Sequence, residues 1–511
     1  MASVVRTAES SAPFGAWLYD YQWADPVLSF GFPDSAADFG YTDAASLSSL
    51  NWQQMQAARR ALAQVESFTN LRFEESDSHT AATLRYVYDS AQATALAYFP
   101  YAGEEGGDGF FGYDTLNPVI GNYADFTFLH ETGHMLGLEH AHEAAGFASG
   151  PLNSSEFTIM TYASFPGDRS TIYVGEPGGY AQGYMQLDIA ALQFLYGANY
   201  APRGEVWSGN TTYSFDPGSG EMFINGAGQG APADNRIFRT IWDGHGKDPY
   251  DLSNYAGPLT IDLRAGNWST FSEAQISDLD SSSGDPAREA RGNLANARLV
   301  DGDLRALIEN AIGGSGDDRI FGNQADNRVQ GGSGRDTILG RGGDDLLHGQ
   351  QDGDLLRGNG GNDSMSGGGG QDRLLGDDGA DRLRGNGGAD DLRGGRGADV
   401  LIGGPGQDLL RGHAGADRFQ FNRVSDSPVD GANDRILDFR PGLDRIDLRK
   451  IADGLEVVIG RGLLRDGPSV ATLETANGNT IVTVDADGDG RADMRLIALD
   501  ATGLGIGDFM V

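Results

Sequence analysis

From Gly313 onward the chain repeats every nine residues, and no other feature restricts its fold so tightly. Units begin at Gly313, Gly322, Gly331, Gly340, Gly349, Gly358, Gly367, Gly376, Gly385, Gly394, Gly403 and Gly412, twelve in register without an insertion. The sixth position holds Asp318, Asp336, Asp345, Asp354, Asp363, Asp372, Asp381, Asp390, Asp399, Asp408 and Asp417, with Asn327 the single departure. The eighth position is apolar in every unit, from Ile320 and Val329 to Leu410 and Phe419. Glycine permits positive φ in a tight loop, and the short strand after each Asp then points one apolar side chain inward. With one turn and one strand per unit, loops eighteen residues apart stack, placing Asp318 above Asp336 and Asp345 above Asp363. Stacked carboxylates repel unless a cation lies between them, and carboxylate and loop carbonyl oxygens are the hard ligands calcium prefers. The competing reading, a disordered glycine-rich linker, does not account for twelve in-phase units with a fixed apolar position.

Upstream the pattern is of another kind. WQQMQAARRALAQVESF from Trp52 reads as an amphipathic helix with Met55, Leu62 and Val65 on its apolar face. Short β-rich runs follow at Leu71, Leu84 and Ala93, and a second helix is expected around residue 130. The order fits a compact α/β or α+β domain over residues 1–200. Residues 201–312 carry short runs between turn residues and read as a β-rich connection; 313–420 is the repeat region and 421–511 a further β region.

Residues 130–140 read HETGHMLGLEH. On a helix His130 and His134 lie one turn apart on one face, so two imidazoles can meet one ion. Gly137 lets the chain leave the helix in a left-handed turn and return His140 as a third ligand. Three protein ligands leave a coordination position for water, which marks a catalytic zinc, and Glu131 is placed to take a proton from that water.

Two resemblances follow from these residues. The nonapeptides, GGSGRDTIL from Gly331 among them, resemble the calcium-binding repeats of RTX proteins, whose family fold is a parallel β-roll. The extended zinc motif with Met160 in TIMTYAS resembles the metzincin metalloproteases and, within them, the serralysins. MQLDIAALQFLYGAN from Met185, TIWDGHGKDPYDLS from Thr240, IENAIGGSGDD from Ile308 and DRILDFRPGLDRIDL from Asp434 agree in order. The resemblance implies an N-terminal α/β (α+β) catalytic domain followed by an all-β region containing the β-roll. It implies a secreted, calcium-dependent zinc endopeptidase with one Zn2+ on His130, His134 and His140, and several Ca2+ on the repeat aspartates. Glu131 would be the general base, Tyr162 a fourth zinc ligand in the resting enzyme that swings away to stabilise the oxyanion, and Met160 a floor beneath the site. A packed aromatic is the other reading of Tyr162. Leu96, Ala97 and Tyr98 are the candidate edge for an extended peptide substrate, or else interior strand.

The chain departs from the serralysin pattern where Ala141 and His142 follow the third histidine in place of Pro-Gly. His142 reads as a spare ligand or a solvated histidine, the second favoured because three ligands are already supplied. DADGDGRAD from Asp485 lacks the twelfth-position Glu of an EF-hand, with Leu496 there instead, and reads as a β-turn with a choice of calcium affinity or none.

Composition closes other routes. With no cysteine there is no disulfide, thiolate zinc site or cysteine nucleophile. The excess of 73 acidic over 37 basic residues argues against nucleic acid as a partner. No stretch approaches the roughly 20 apolar residues of a membrane span, which also leaves a pore-forming RTX protein without support. The opening residues lack a secretory leader pattern, residues 1 to about 15 are open to being a short propeptide, and the terminal GDFMV resembles the type I secretion signal of serralysins. Protein and peptide substrates, a type I export apparatus and a monomeric extracellular enzyme are the expected context. A catalytically dead calcium-binding surface protein is the rival class, and the intact Glu131 argues against it.

Overall fold

The computed structural model describes residues 3–34, 45–144, 147, 150–170, 172–200, 209–429, 431 and 433–511. The chain forms two compact units, the first comprising residues 1–249 and 265–308 and the second residues 250–264 and 309–511.

The first unit is built on a six-stranded sheet and three helices. Strands β1 (Val4–Arg6) and β2 (Tyr21–Trp23) form a separate antiparallel pair. The main sheet contains β3 (Val27–Gly31), β4 (Leu47–Ser48), β5 (Arg72–Glu75), β6 (Leu84–Asp89), β7 (Ala95–Ala97) and β8 (Asp108–Phe111), in the order β5-β3-β6-β8-β7 with β4 on β6. All neighbours along that order are parallel except β7, which runs antiparallel to β8 and ends the sheet. Helix α1 (Trp52–Phe68) starts at a reciprocal cap in which Asn51 Oδ1 accepts from the Gln54 amide and Gln54 Oε1 accepts from the Asn51 amide, both at 3.0 Å. It buries Ala57, Ala58, Ala61, Leu62 and Val65, the small residues letting the helix approach the sheet. Helix α2 (Tyr123–Met135) is capped by Asn122 and buried on almost every side, as its apolar-rich sequence requires. Helix α3 (Gln186–Tyr196) completes the layer.

The stretch before β2 belongs to this unit. Phe14 and Trp17 are buried, the Tyr19 amide donates to Gly137 O at 2.9 Å, and Trp23 Nε1 donates to Met135 O at 2.9 Å. The N-terminal segment therefore braces the turn that follows α2.

In the second unit the nonapeptides wind into two parallel sheets, as the family fold implies. Strands pair with those eighteen residues away, so that Ile320, Ile338, Leu356, Leu374, Leu392 and Leu410 register in one sheet. Val329, Leu347, Met365, Leu383, Leu401 and Phe419 register in the other. Every one of these eighth-position side chains is buried. The core is thus two single files of apolar residues, and the glycines keep the turns between them narrow. Gly388, for instance, has φ of +145° and a Cβ there would lie 1.4 Å from Gly370 O. Beyond the repeats, Ser469–Glu474, Thr480–Asp485 and Met494–Ala498 add an antiparallel meander, and Phe509–Met510 pairs in parallel with Arg445–Asp447.

A single-file core leaves no neighbour to fill a gap. Leu374→Ala is expected to cost about 2–5 kcal/mol, read as a lower urea midpoint of the second unit in saturating calcium.

Candidate metal centre

Helix α2 delivers His130 and His134 on one face, and the chain then turns at Gly137, whose φ is +100°. The Leu138 amide returns to Gly133 O at 3.0 Å. His140 is held from both sides, because the Glu139 amide donates to Trp17 O at 2.7 Å and the Ala141 amide donates to Met160 O at 2.8 Å.

Two backbone carbonyls set the ring orientations. His130 Nδ1 lies 2.7 Å from Ile159 O and His134 Nδ1 lies 2.6 Å from Leu138 O. A carbonyl can only accept, so each Nδ1 carries the proton and each Nε2 presents a lone pair. The Nε2 atoms of His130, His134 and His140 then meet at 3.1, 3.1 and 3.2 Å from one another. These rings can form one metal-binding group. Zinc–nitrogen bonds of about 2.0–2.1 Å in a tetrahedral site call for nitrogens roughly 3.3 Å apart, so the donor set fits zinc in both chemistry and spacing. Burial drives His130 down to about 3, with His140 adding to the effect, and burial likewise lowers His134 and His140. All three rings are therefore neutral at pH 7, the form that coordinates metal.

Met160 is fully buried beneath α2, and a Cβ on Gly133 would lie 2.7 Å from its Sδ. Residue 133 is glycine because the methionine occupies that space. The Met160 turn is tied to α3 by Asp188, which accepts from Thr158 Oγ1 at 2.5 Å and from the amides of Ile159 and Met185 at 2.9 Å each. Asp188 thus anchors, through its amide, the residue whose carbonyl orients His130. Burial pushes its carboxyl up to about 7 against these hydrogen bonds. Sequence reasoning missed this residue, although an acid in the first turn of α3 was a visible signal.

Glu131 is buried beside the histidines, its Oε2 has no hydrogen-bond partner, and burial pushes it up to about 8. It lines a cavity of about 50 Å³ with His130, Tyr162, Tyr123, Tyr173 and the β7 residue Ala95. The Tyr162 ring is 4.9 Å from that of His140 and 6.1 Å from that of His130. Tyr173, also outside the sequence reading, closes the cavity and directs its hydroxyl to Ile159 O at 3.4 Å. His142 is half-buried against Tyr162, with ring centres 4.4 Å apart and its Nδ1 accepting from the Tyr162 amide at 3.3 Å. It packs on Tyr162 while keeping part of its surface exposed, and its ring also lies with His140 and Glu143 in a second group of donor atoms. Leu96 and Tyr98 are each 37% exposed along the terminal strand of the sheet.

The repeat aspartates form two ladders in the second unit, where each backbone amide donates to the carboxylate one turn onward. Asp318 pairs so with Asp336 at 2.9 Å, Asp345 with Asp363 at 2.9 Å, and Asp354 with Asp372 at 2.8 Å. In Asp336, Asp345, Asp354, Asp363, Asp372, Asp381, Asp390, Asp399 and Asp408 the second oxygen, Oδ2, is buried with no hydrogen-bond partner. Burial raises these carboxyls, to about 8 for Asp345 and Asp354 and about 7 for Asp336, Asp381, Asp390 and Asp408. The ladder ends differ. Asp318 accepts from the Leu259 and Gly314 amides, and Asp417 Oδ2 accepts from Arg440 Nη2 at 3.0 Å. Asn327 bonds Glu309 O and Asn323 in place of a carboxylate's partners. The Asp485 turn gathers Asp485, Asp487 and Asp493, with Asp485 accepting from the amides of Gly488 and Gly490.

A helix bearing an extended three-histidine motif, a methionine turn beneath it and a parallel roll of nonapeptides define a metallopeptidase class. Residues 199–510 match the family model for the C-terminal part of the peptidase M10 serralysins, and residues 36–171 match that of metallo-peptidase family M12. The chain belongs to the M10 serralysin family, and that family implies a zinc cofactor. It is 32% identical to metallopeptidase AprA of Pseudomonas marginalis over 56% of this chain and 57% of the relative. It is 28% identical to a serralysin of Proteus mirabilis over 61% and 63%, and 29% identical to serralysin G of Dickeya chrysanthemi over 59% and 60%. The chain therefore spans less than two thirds of the length of these relatives. The solution structure of an AlgE6R3 subunit from the Azotobacter vinelandii mannuronan C5-epimerase overlaps 38% of this chain and 78% of its own, at 24% identity and a TM-score of 0.18, too low to bear on the fold.

Removing the Asp188 carboxylate leaves two buried amides and a hydroxyl without their acceptor. Asp188→Ala is expected to destabilise the first unit by on the order of 3 kcal/mol in urea unfolding followed by tryptophan fluorescence.

Proposed function

We propose that this chain is a secreted, calcium-dependent zinc endopeptidase acting on extracellular proteins. The observation that carries the reading is that Glu131, whose buried Oε2 has no partner, lines one small cavity with His130 and Tyr162, beside three converging Nε2 atoms. His130, His134 and His140 would hold a zinc ion, which would supply Lewis acidity for activating water near neutral pH. The carbonyls of Ile159 and Leu138 keep two of the imidazoles in the tautomer and orientation that ligation requires. Glu131 takes the proton from the attacking water and delivers it to the leaving amine. Tyr162 donates its hydroxyl to the oxyanion as the carbonyl becomes tetrahedral. Strand β7 ends the sheet, so a peptide can extend it antiparallel with its scissile bond beside Ala95 and Glu131, main-chain hydrogen bonds making the recognition sequence-tolerant.

The catalytic role is assigned to residues 1–200 and calcium binding to 313–420, with 201–312 connecting and 421–511 carrying the export signal. Calcium is assigned to the carboxylates from Asp336 to Asp408, whose Oδ2 atoms lack any protein partner. The neighbouring aspartates Asp318 and Asp417 belong to the same ladders but already have protein donors on their carboxylates. A thiol-free chain whose roll gains stability from calcium suits export in an unfolded state into a calcium-containing exterior. No helix among the described residues is long and apolar enough to cross a membrane.

Two measurements follow. Casein hydrolysis by Glu131→Ala is expected to fall about 10²- to 10⁴-fold with zinc content unchanged; equal inactivity of wild type would favour a calcium-binding protein without catalysis. The second concerns pH. Burial raises the ladder carboxyls above their ordinary 3.8, to about 6–8. In the calcium-free roll this contribution is complete below about pH 4 and lost as pH rises through 6 to 8. Calcium binds the ionised form, so its stabilising effect grows over the same window. The rise in Tm on adding calcium is expected to be at least about 4 °C larger at pH 8 than at pH 5, by calorimetry.

A further inference from the structure

A buried guanidinium ordinarily has a carboxylate, because an unpaired charge in the interior is expensive. Arg85 obeys this rule, with Nε and Nη2 each 2.6 Å from an oxygen of Asp108. Arg239 does not. It is 8% exposed and, among the described residues, forms no ion pair. Its Nε donates to Gln182 Oε1 at 3.0 Å and its Nη1 to Met222 Sδ at 3.1 Å, a neutral amide and a weak thioether acceptor. The nearby carboxylate of Asp125 is engaged by Arg60. Burial lowers the Arg239 pKa to about 10, which leaves the group charged at neutral pH.

Arg239 lines a cavity of about 190 Å³ in the first unit, walled by α1, α2 and the segments around Gln182 and Thr240. Apolar walls come from Phe68, Leu129 and Met222, and Arg60 and Gln64 add polar groups at the side. The cavity is separate from the histidine centre. Asp125 and Leu129 face it from α2, whereas Thr127, His130 and Glu131, about half a turn around the helix, face the catalytic cavity. The guanidinium is also held in place. Strand Arg239–Ile241 pairs in parallel with Leu294–Asn296, and Gln182 is clamped through Nε2 to Arg236 O at 2.7 Å and through its amide to Phe238 O at 2.9 Å.

We infer that this cavity binds a small organic monocarboxylate, the carboxylate against Arg239 and the apolar body between Phe68, Leu129 and Met222. The planar fork of an arginine matches a carboxylate, and a largely apolar wall favours an organic acid over a hydrated inorganic anion. Size agrees, since apolar cavities of about 150 Å³ take up benzene, and benzoate adds only the charged group.

The test is titration of the full-length, metal-loaded protein with sodium benzoate by calorimetry and thermal shift, with phosphate and chloride at equal ionic strength. Benzoate is expected to bind saturably and raise Tm. Arg239→Gln should weaken it at least about tenfold, and Ser67→Phe, which fills the cavity while keeping the guanidinium, should do the same. The second variant carries the test if the first does not fold. No saturable binding by wild type up to about 10 mM benzoate would overturn the inference. So would saturation by phosphate or chloride in its place, which marks an inorganic anion site. Undiminished benzoate binding in both variants, which places the acid at the histidine centre or elsewhere, would also overturn it.

Discussion

Two backbone carbonyls decide what the first unit can hold. Because Ile159 O and Leu138 O each take the Nδ1 proton of a histidine, the opposite nitrogens turn lone pairs toward one point. With the Nε2 of His140 they make three ring nitrogens little more than 3 Å apart, a spacing that a shared cation satisfies. Much of the unit serves this arrangement. Asp188 anchors the Ile159 amide, Met160 fills the space that Gly133 leaves open, and the N-terminal segment holds the turn that brings back His140.

The second unit follows the same logic with a different donor. From Asp336 to Asp408 each ladder carboxylate accepts a backbone amide with one oxygen and leaves the other buried without a partner. The core beneath is only two files of side chains, thin against the chain entropy and the cost of the buried carboxylates. A cation that satisfies the free oxygens supplies what the core lacks. At one ladder end Arg440 takes that role, bonding Asp417 Oδ2 and Asp444 Oδ1 at 3.0 Å each.

Both motifs were legible in the sequence because their geometry is local. A nine-residue period with glycine loops dictates strand registry eighteen residues apart, and histidines four apart on a helix must share a face. The members that escaped are brought in from far along the chain. Asp188 bonds the Ile159 amide from twenty-nine residues along the chain, Tyr173 closes a cavity lined otherwise from α2, from Thr94 and Ala95 and by Tyr162, and Arg440 reaches Asp417 from outside the repeats. His142 reads as a solvated histidine because three ligands are already supplied, but Tyr162, twenty residues on, packs against it. Arg239 carries no spacing signal at all; only the fold reveals that it is buried against a neutral amide and a thioether, with the nearby Asp125 engaged by Arg60.

The central claim is that peptide hydrolysis depends on one zinc at the three histidines. Chelator-stripped protein, kept in calcium and titrated with zinc while hydrolysis of a peptide substrate is followed, tests it most directly. Activity should be absent at the start, rise linearly and break sharply at one zinc per chain. Hydrolysis by the stripped protein, or none at full zinc occupancy, would contradict the account.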